Sequence, residues 1–69
     1  MKNDFIIIDN TREVIRFNEE TKKYYVDLNT PLEREPNGRY ISVYIEDSVE
    51  ALKTKLEELC KKRGIQFSK

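Results

Sequence analysis

The chain has 69 residues, of which 38% are charged, with thirteen Lys/Arg cancelling thirteen Asp/Glu and no histidine at all. That length admits a single domain, residues 1–69, and a chain so short buries only about 60% of its unfolded surface, which leaves a lone monomer marginal. One cysteine, Cys60, excludes an internal disulfide, and the absence of histidine excludes a Cys/His zinc site.

Of the usual reinforcements for a small domain, tight packing and self-association remain, so a homodimer is expected. The lone cysteine fits a reducing compartment. The longest apolar run, residues 5–8, is four residues long. A membrane span needs about 20 and a signal peptide a longer apolar core, so a cytoplasmic protein with no membrane contact is expected. Charge is unevenly placed: residues 1–50 hold seven Lys/Arg against eleven Asp/Glu, and residues 51–69 hold six against two. Overall neutrality argues against strong non-specific binding to nucleic acid, which needs many phosphate contacts. The basic end matches what a helix gains from cations near its C-terminus.

Residues 1–4 read as a frayed start. Phe5-Ile6-Ile7-Ile8 is a β-branched strand stopped by the turn pair Asp9-Asn10. Being apolar at consecutive positions, it is expected to be covered on both faces, one by the helix and the other by a partner chain. Residues 13–17 form a second strand, with Ile15 and Phe17 on one side and Val14 and Arg16 on the other. A helix beginning at Thr11 is rejected because its apolar residues do not recur through 18–23. Residues 18–22 are a polar hairpin turn.

Residues 23–28 alternate, with Tyr24, Val26 and Leu28 facing one way and Tyr25 and Asp27 the other. The segment 29–38, NTPLEREPNG, carries two prolines and a Pro-Asn-Gly turn signal, and reads as a long connection. Residues 39–45 form the fourth strand, with Ile41, Val43 and Ile45 towards the core and Tyr40, Ser42 and Tyr44 away from it. Asp47 is the expected helix N-cap, with Glu50 completing a capping box. The helix stripe is Val49, Leu52, Leu56 and Leu59, widened by Ala51 and Cys60. Lys61, Lys62 and Arg63 fill the last turn, Gly64 supplies the left-handed stop, and Phe67 anchors a short tail. The expected fold is α+β: a four-stranded antiparallel sheet followed by one C-terminal helix (ββββα), with the helix packed on one sheet face.

Chemistry-bearing patterns are few. Without histidine the commonest general base is missing, and Cys60, in the last helical turn with nothing to activate it, reads as a packed thiol. The glycines have turn and cap roles, and no phosphate loop is present. No cofactor and no enzymatic activity are expected. What remains is the sheet face away from the helix, where the alternation gathers Tyr25, Asp27, Tyr40, Ser42 and Tyr44, joined by Arg16 and Val14 from the second strand and by Phe5 or Ile7 from the first. Aromatic side chains on an open sheet hold bases for about 1–3 kcal/mol each, and Lys23 and Arg39 sit at its rim. Tyrosines are equally suited to a dimer interface.

Two strands also carry a family likeness. Lys23-Tyr24-Tyr25-Val26-Asp27-Leu28 and Gly38-Arg39-Tyr40-Ile41 resemble the KRYYxD and GRYLxI strands of PUR repeats, and the element order is similar to that of positive-cofactor and whirly single-stranded DNA binders. Here the segment 29–38 intervenes between the two strands, where a PUR repeat has a short turn. The resemblance implies a dimer that binds single-stranded DNA or RNA on its sheet, with Arg16, Tyr25, Arg39, Tyr40 and Tyr44 as contacts, to which the rim position of Lys23 adds a sixth. The alternative is a protein-interaction module, an inhibitor or adaptor that holds a protein partner through the acidic loop 32–35 or a sheet edge; its acidic first fifty residues suit mimicry of nucleic-acid charge.

Overall fold

The computed structural model describes residues 4–68; the expected fraying of residues 1–3 lies outside them, and Asp4 already belongs to a strand. In chain order the elements are β1 (Asp4–Ile8), β2 (Thr11–Asn18), β3 (Lys23–Asp27), β4 (Glu33–Arg34), β5 (Tyr40–Ile41), β6 (Val43–Glu46), α1 (Val49–Arg63) and β7 (Phe67–Ser68). The fold is α+β, with one helix packed on one face of an antiparallel sheet. The sheet has five strands where four are expected from sequence, in the order β6-β3-β2-β1-β7, and β4 and β5 form a separate two-stranded ribbon.

Local chemistry makes the hairpins. Asp9 and Asn10 both adopt positive φ, 50° and 66°, the two-residue geometry whose twist matches antiparallel strands and which Asn and Asp tolerate. At the next turn the Asn18 side chain accepts the Glu20 backbone N–H at 2.9 Å, and Lys22 takes the left-handed position at φ 60°. The registers follow: Ile6 lies opposite Glu13, and Arg16 opposite Tyr25.

The core lies between the sheet and α1. Ile6, Ile8, Ile15, Val26 and Leu28 from the sheet meet Leu52, Leu56 and Cys60 from the helix, with Val49 and Leu59 half-buried beside them. Fully burying a side chain of this size is worth about 1.5–3 kcal/mol. Helix capping departs from expectation by one residue. Ser48, in extended conformation, is the N-cap, and its Oγ accepts the Ala51 N–H at 3.1 Å, while Asp47 pairs with Lys23 instead. The C-terminal stop is as expected: Gly64 has φ 68°, with Ile65 N–H donating to the Cys60 carbonyl at 2.8 Å and Gly64 N–H to that of Lys61 at 3.3 Å. These two bonds satisfy carbonyls that the helix end leaves open.

The tail does more than rest on the core. Phe67 and Ser68 pair with Ile8 and Ile7, making the fifth strand. The segment 29–38 is also more than a connection, because Leu32 is fully buried in the core.

The largest correction concerns residues 39–45, expected as one strand. Ile41 packs against the core and Tyr44 is only 5% exposed within it. Two inward residues three apart require one break in the alternation, and it falls at Ser42, between β5 and β6. Beyond the break every side chain changes face, as a one-residue shift in a strand must. Val43 and Ile45, expected in the core, are 48% and 55% exposed. In the N-terminal strand Ile6 and Ile8 are buried in the core, and Phe5 and Ile7 face the other way, exposed.

Candidate functional site

Among the described residues no element covers the sheet face opposite α1. Strand pairing builds it in cross-strand pairs: Phe5 opposite Val14 and Ile7 opposite Arg12, Arg16 opposite Tyr25, Tyr25 opposite Ile45 and Asp27 opposite Val43. Phe5, Ile7, Val43 and Ile45 are exposed, and Val14 and Tyr25 are half-buried between their neighbours. Six apolar side chains thus share one uncovered surface with two arginines and one aspartate. A monomer of this size exposes scattered apolar residues, but a contiguous patch marks an interaction site.

The arginines are placed by the same pleat. The Arg12 guanidinium stacks 4.3 Å from the Phe5 ring centroid, which covers one face of that ring and fixes the cation within the patch. Arg16 stands beside Tyr25 and is exposed, with no ion pair to it among the described residues. At the open end of β3 and β6, Asn18, Thr21, Lys23, Tyr25, Val43 and Ile45 line a depression of about 340 Å³. Its lining mixes the apolar Tyr25, Val43 and Ile45 with the polar Asn18, Thr21 and Lys23.

Of the six residues expected to contact nucleic acid, the structure brings Arg16 and Tyr25 together on this face. Lys23 lies at its rim with its ammonium engaged by Asp47. Arg39 and Tyr40 lie on the ribbon side, where they share a depression with Val43 at the border of the face, and Tyr40 is 65% exposed under the Arg34 guanidinium at 5.6 Å. Tyr44 is removed from it altogether. Its hydroxyl donates to Glu33 Oε1 at 3.0 Å on the helix side, and burial first, then this hydrogen bond and the Glu33 charge, push its phenol above the ordinary tyrosine value while Arg63 opposes. The acidic loop is tied down by the same bond, since Glu33 serves Tyr44 and Leu32 serves the core.

Sequence reasoning missed Arg12, Val43 and Ile45 as members of the face. The period-two pattern of β2 carries Arg12 in phase with Val14 and Arg16, so its position was available; the other two depend on the break at Ser42, which no residue pattern announces.

Elsewhere the polar chemistry is structural. Glu13, 2% exposed on the helix side, accepts from the backbone N–H and the side-chain amide of Asn29, both at 3.1 Å. Cys60 is buried, and that burial raises its thiol above the ordinary value, away from the reactive thiolate. Among the described residues no three His, Cys, Asp or Glu side chains gather as a metal site, and no helix is long and apolar enough to cross a membrane.

No family model, curated protein or solved structure matches this chain.

Proposed function

We propose that the chain is a small, non-catalytic interaction module that docks through its open sheet face onto a protein surface that is apolar at its centre and carboxylate-bearing at its edge. The observation that carries this reading is the composition of the face: Phe5, Ile7, Val14, Tyr25, Val43 and Ile45 with Arg12 and Arg16 among them. Apolar core, aromatic members and arginine are the enriched constituents of protein interfaces. The two guanidiniums against one carboxylate, Asp27, set the charge expected of the partner.

Single-stranded nucleic acid is the second reading, favoured by the Arg16–Tyr25 pair on an uncovered sheet. Magnitudes rank it second. With Tyr44 buried, stacking is left to Tyr25, to Tyr40 at the border of the face under Arg34, and to a Phe5 ring already covered by Arg12, and each stacked base brings about 1–3 kcal/mol. Aliphatic side chains supply four of the six apolar positions and offer no stacking surface. A chain of net charge zero adds little from counterion release.

The test joins both. A photo-reactive amino acid at position 14, at the middle of the face, is used to cross-link the partner in cells, and the recovered partner is purified and its affinity measured directly. Ile7→Glu and Val43→Glu, both at exposed positions, are expected to weaken that affinity at least tenfold with unchanged far-UV circular dichroism. Affinity unaffected by both changes rejects the face as the docking site. In parallel, a fluorescent single-stranded oligonucleotide is titrated at low salt, and tight, Tyr25-dependent binding there would move nucleic acid into first place.

A further inference from the structure

The sheet has two edges, and they differ. At one, β7 is two residues long, a length that itself blunts an edge. At the other, β6 presents four residues, Val43–Glu46, with no proline and no lysine among them.

The hydrogen-bonding phase of β6 is fixed by one bond: Leu28 N–H donates to the Ser42 carbonyl at 2.8 Å. Leu28 and Ser42 continue the β3–β6 register, in which Val26 faces Tyr44 and Tyr24 faces Glu46. Antiparallel pairs alternate between bonded and non-bonded, so Ser42, Tyr44 and Glu46 turn their backbone groups to β3. Val43 and Ile45 turn theirs outward. Among the described residues nothing accepts or donates to them.

We infer that β6 pairs with β6 of a second copy, antiparallel about a two-fold axis at Tyr44, making one continuous sheet. That register alone pairs the outward groups of both Val43 and Ile45 within β6. Val43 of each copy faces Ile45 of the other, giving two hydrogen-bonded pairs, each exchanging two N–H···O bonds. Shifting one way makes the outward groups of Ile45 face Ile41, whose backbone is already engaged with Glu33 in the ribbon; shifting the other makes Val43 face Asp47, beyond the end of β6. The chosen register also apposes Val43 and Ile45 side chains across the seam on the open face, an apolar β-branched pair of the kind that stabilises sheets. It sets Ser42 of the second copy opposite Glu46. Because the axis runs perpendicular to the sheet, both open faces lie on the same side and both helices on the other. The dimer therefore presents two copies of the docking face side by side, whatever that face holds.

So short a seam makes a transient dimer, with dissociation constants in the micromolar to millimolar range, so sedimentation equilibrium is run up to about 1 mM. The expected mass at the top of that range approaches twice 8.3 kDa. Ile45→Pro removes an outward N–H that β3 does not use, a position where an edge strand tolerates proline, and is expected to give a folded monomer. Phe5→Glu combined with Ile7→Glu, on the open face at the far side of the sheet, is expected to leave the dimer intact. In the unaltered protein the Val43 and Ile45 amides are expected to gain at least tenfold protection from hydrogen exchange as concentration rises, a readout that holds even if Ile45→Pro fails to fold. A mass of 8.3 kDa at all concentrations, or amide protection independent of concentration, overturns the inference. So does a dimer that survives Ile45→Pro and is lost in Phe5→Glu/Ile7→Glu, which is the signature of two open faces packed together.

Discussion

Tyrosine is awkward on an edge strand, because its ring asks for burial and its hydroxyl for a partner. Tyr44 satisfies both by turning under the helix and donating to Glu33 at 3.0 Å. A phenol so placed holds its proton more tightly in the folded chain than in the unfolded one, where tyrosine titrates near 10.0. The sign follows from linkage: the native state binds more protons above that value, so the stabilisation is complete below about pH 10 and is lost as pH rises towards the higher folded value. Cys60 acts in the same direction from its own ordinary value of 9.0. Tyr44→Phe is expected to cost about 1.5–3 kcal/mol at neutral pH, the worth of a hydrogen bond to a charged group, and to flatten the fall in stability above pH 10. Urea denaturation of both proteins from pH 7 to 11 measures this, and identical alkaline slopes would remove Tyr44 as the titrating group.

At the scale of elements, the parts readable from sequence are those that local signals decide. Asp9-Asn10, the polar turn after Asn18, the stripe Val49-Leu52-Leu56-Leu59 and Gly64 each act within a few residues of chain, and each is where it was expected. The phase of residues 39–45 is different. Tyr40, Ser42 and Tyr44 on one side and Ile41, Val43 and Ile45 on the other are both plausible inward sets. The choice is made by Leu32, which fills core volume from a proline-flanked loop, and by Glu33, which gives the Tyr44 hydroxyl a partner. Neither is near β6 in sequence, so the site lost Tyr44 and gained Val43 and Ile45 without any local warning. The N-cap is a smaller case of the same kind. Asp47 and Ser48 are both good caps by type, and Lys23, twenty-four residues earlier, draws Asp47 away. Ser48→Ala is expected to lower stability by about 1 kcal/mol, and Asp47→Ala, which breaks an exposed ion pair, by less than that. Thermal melts of the two variants decide it, and the reverse order would return the cap to Asp47.

For the whole molecule the question is how a single sheet with one covered face stays folded. Typical stabilities of about 0.05–0.15 kcal/mol per residue put a domain of this length near 3–10 kcal/mol. Every element that closes the core then counts, including those that look like connections. The segment 29–38 enters the core through Leu32, is held at its start by the Glu13–Asn29 bonds and at its middle by Glu33 and Tyr44. It is one side of the core rather than a strap across it. Truncating a fully buried leucine costs about 2–5 kcal/mol, including the cavity left behind, so Leu32→Ala is expected to remove a large share of the total. Ile45→Ala, on the open face, removes contacts that the monomer does not bury and is expected to change its stability by less than about 0.5 kcal/mol, as at surface positions generally. Urea unfolding of both variants at low protein concentration makes the comparison. If Leu32→Ala is as mild as Ile45→Ala, the segment folds apart from the core; if Ile45→Ala is as severe as Leu32→Ala, the open face is not open.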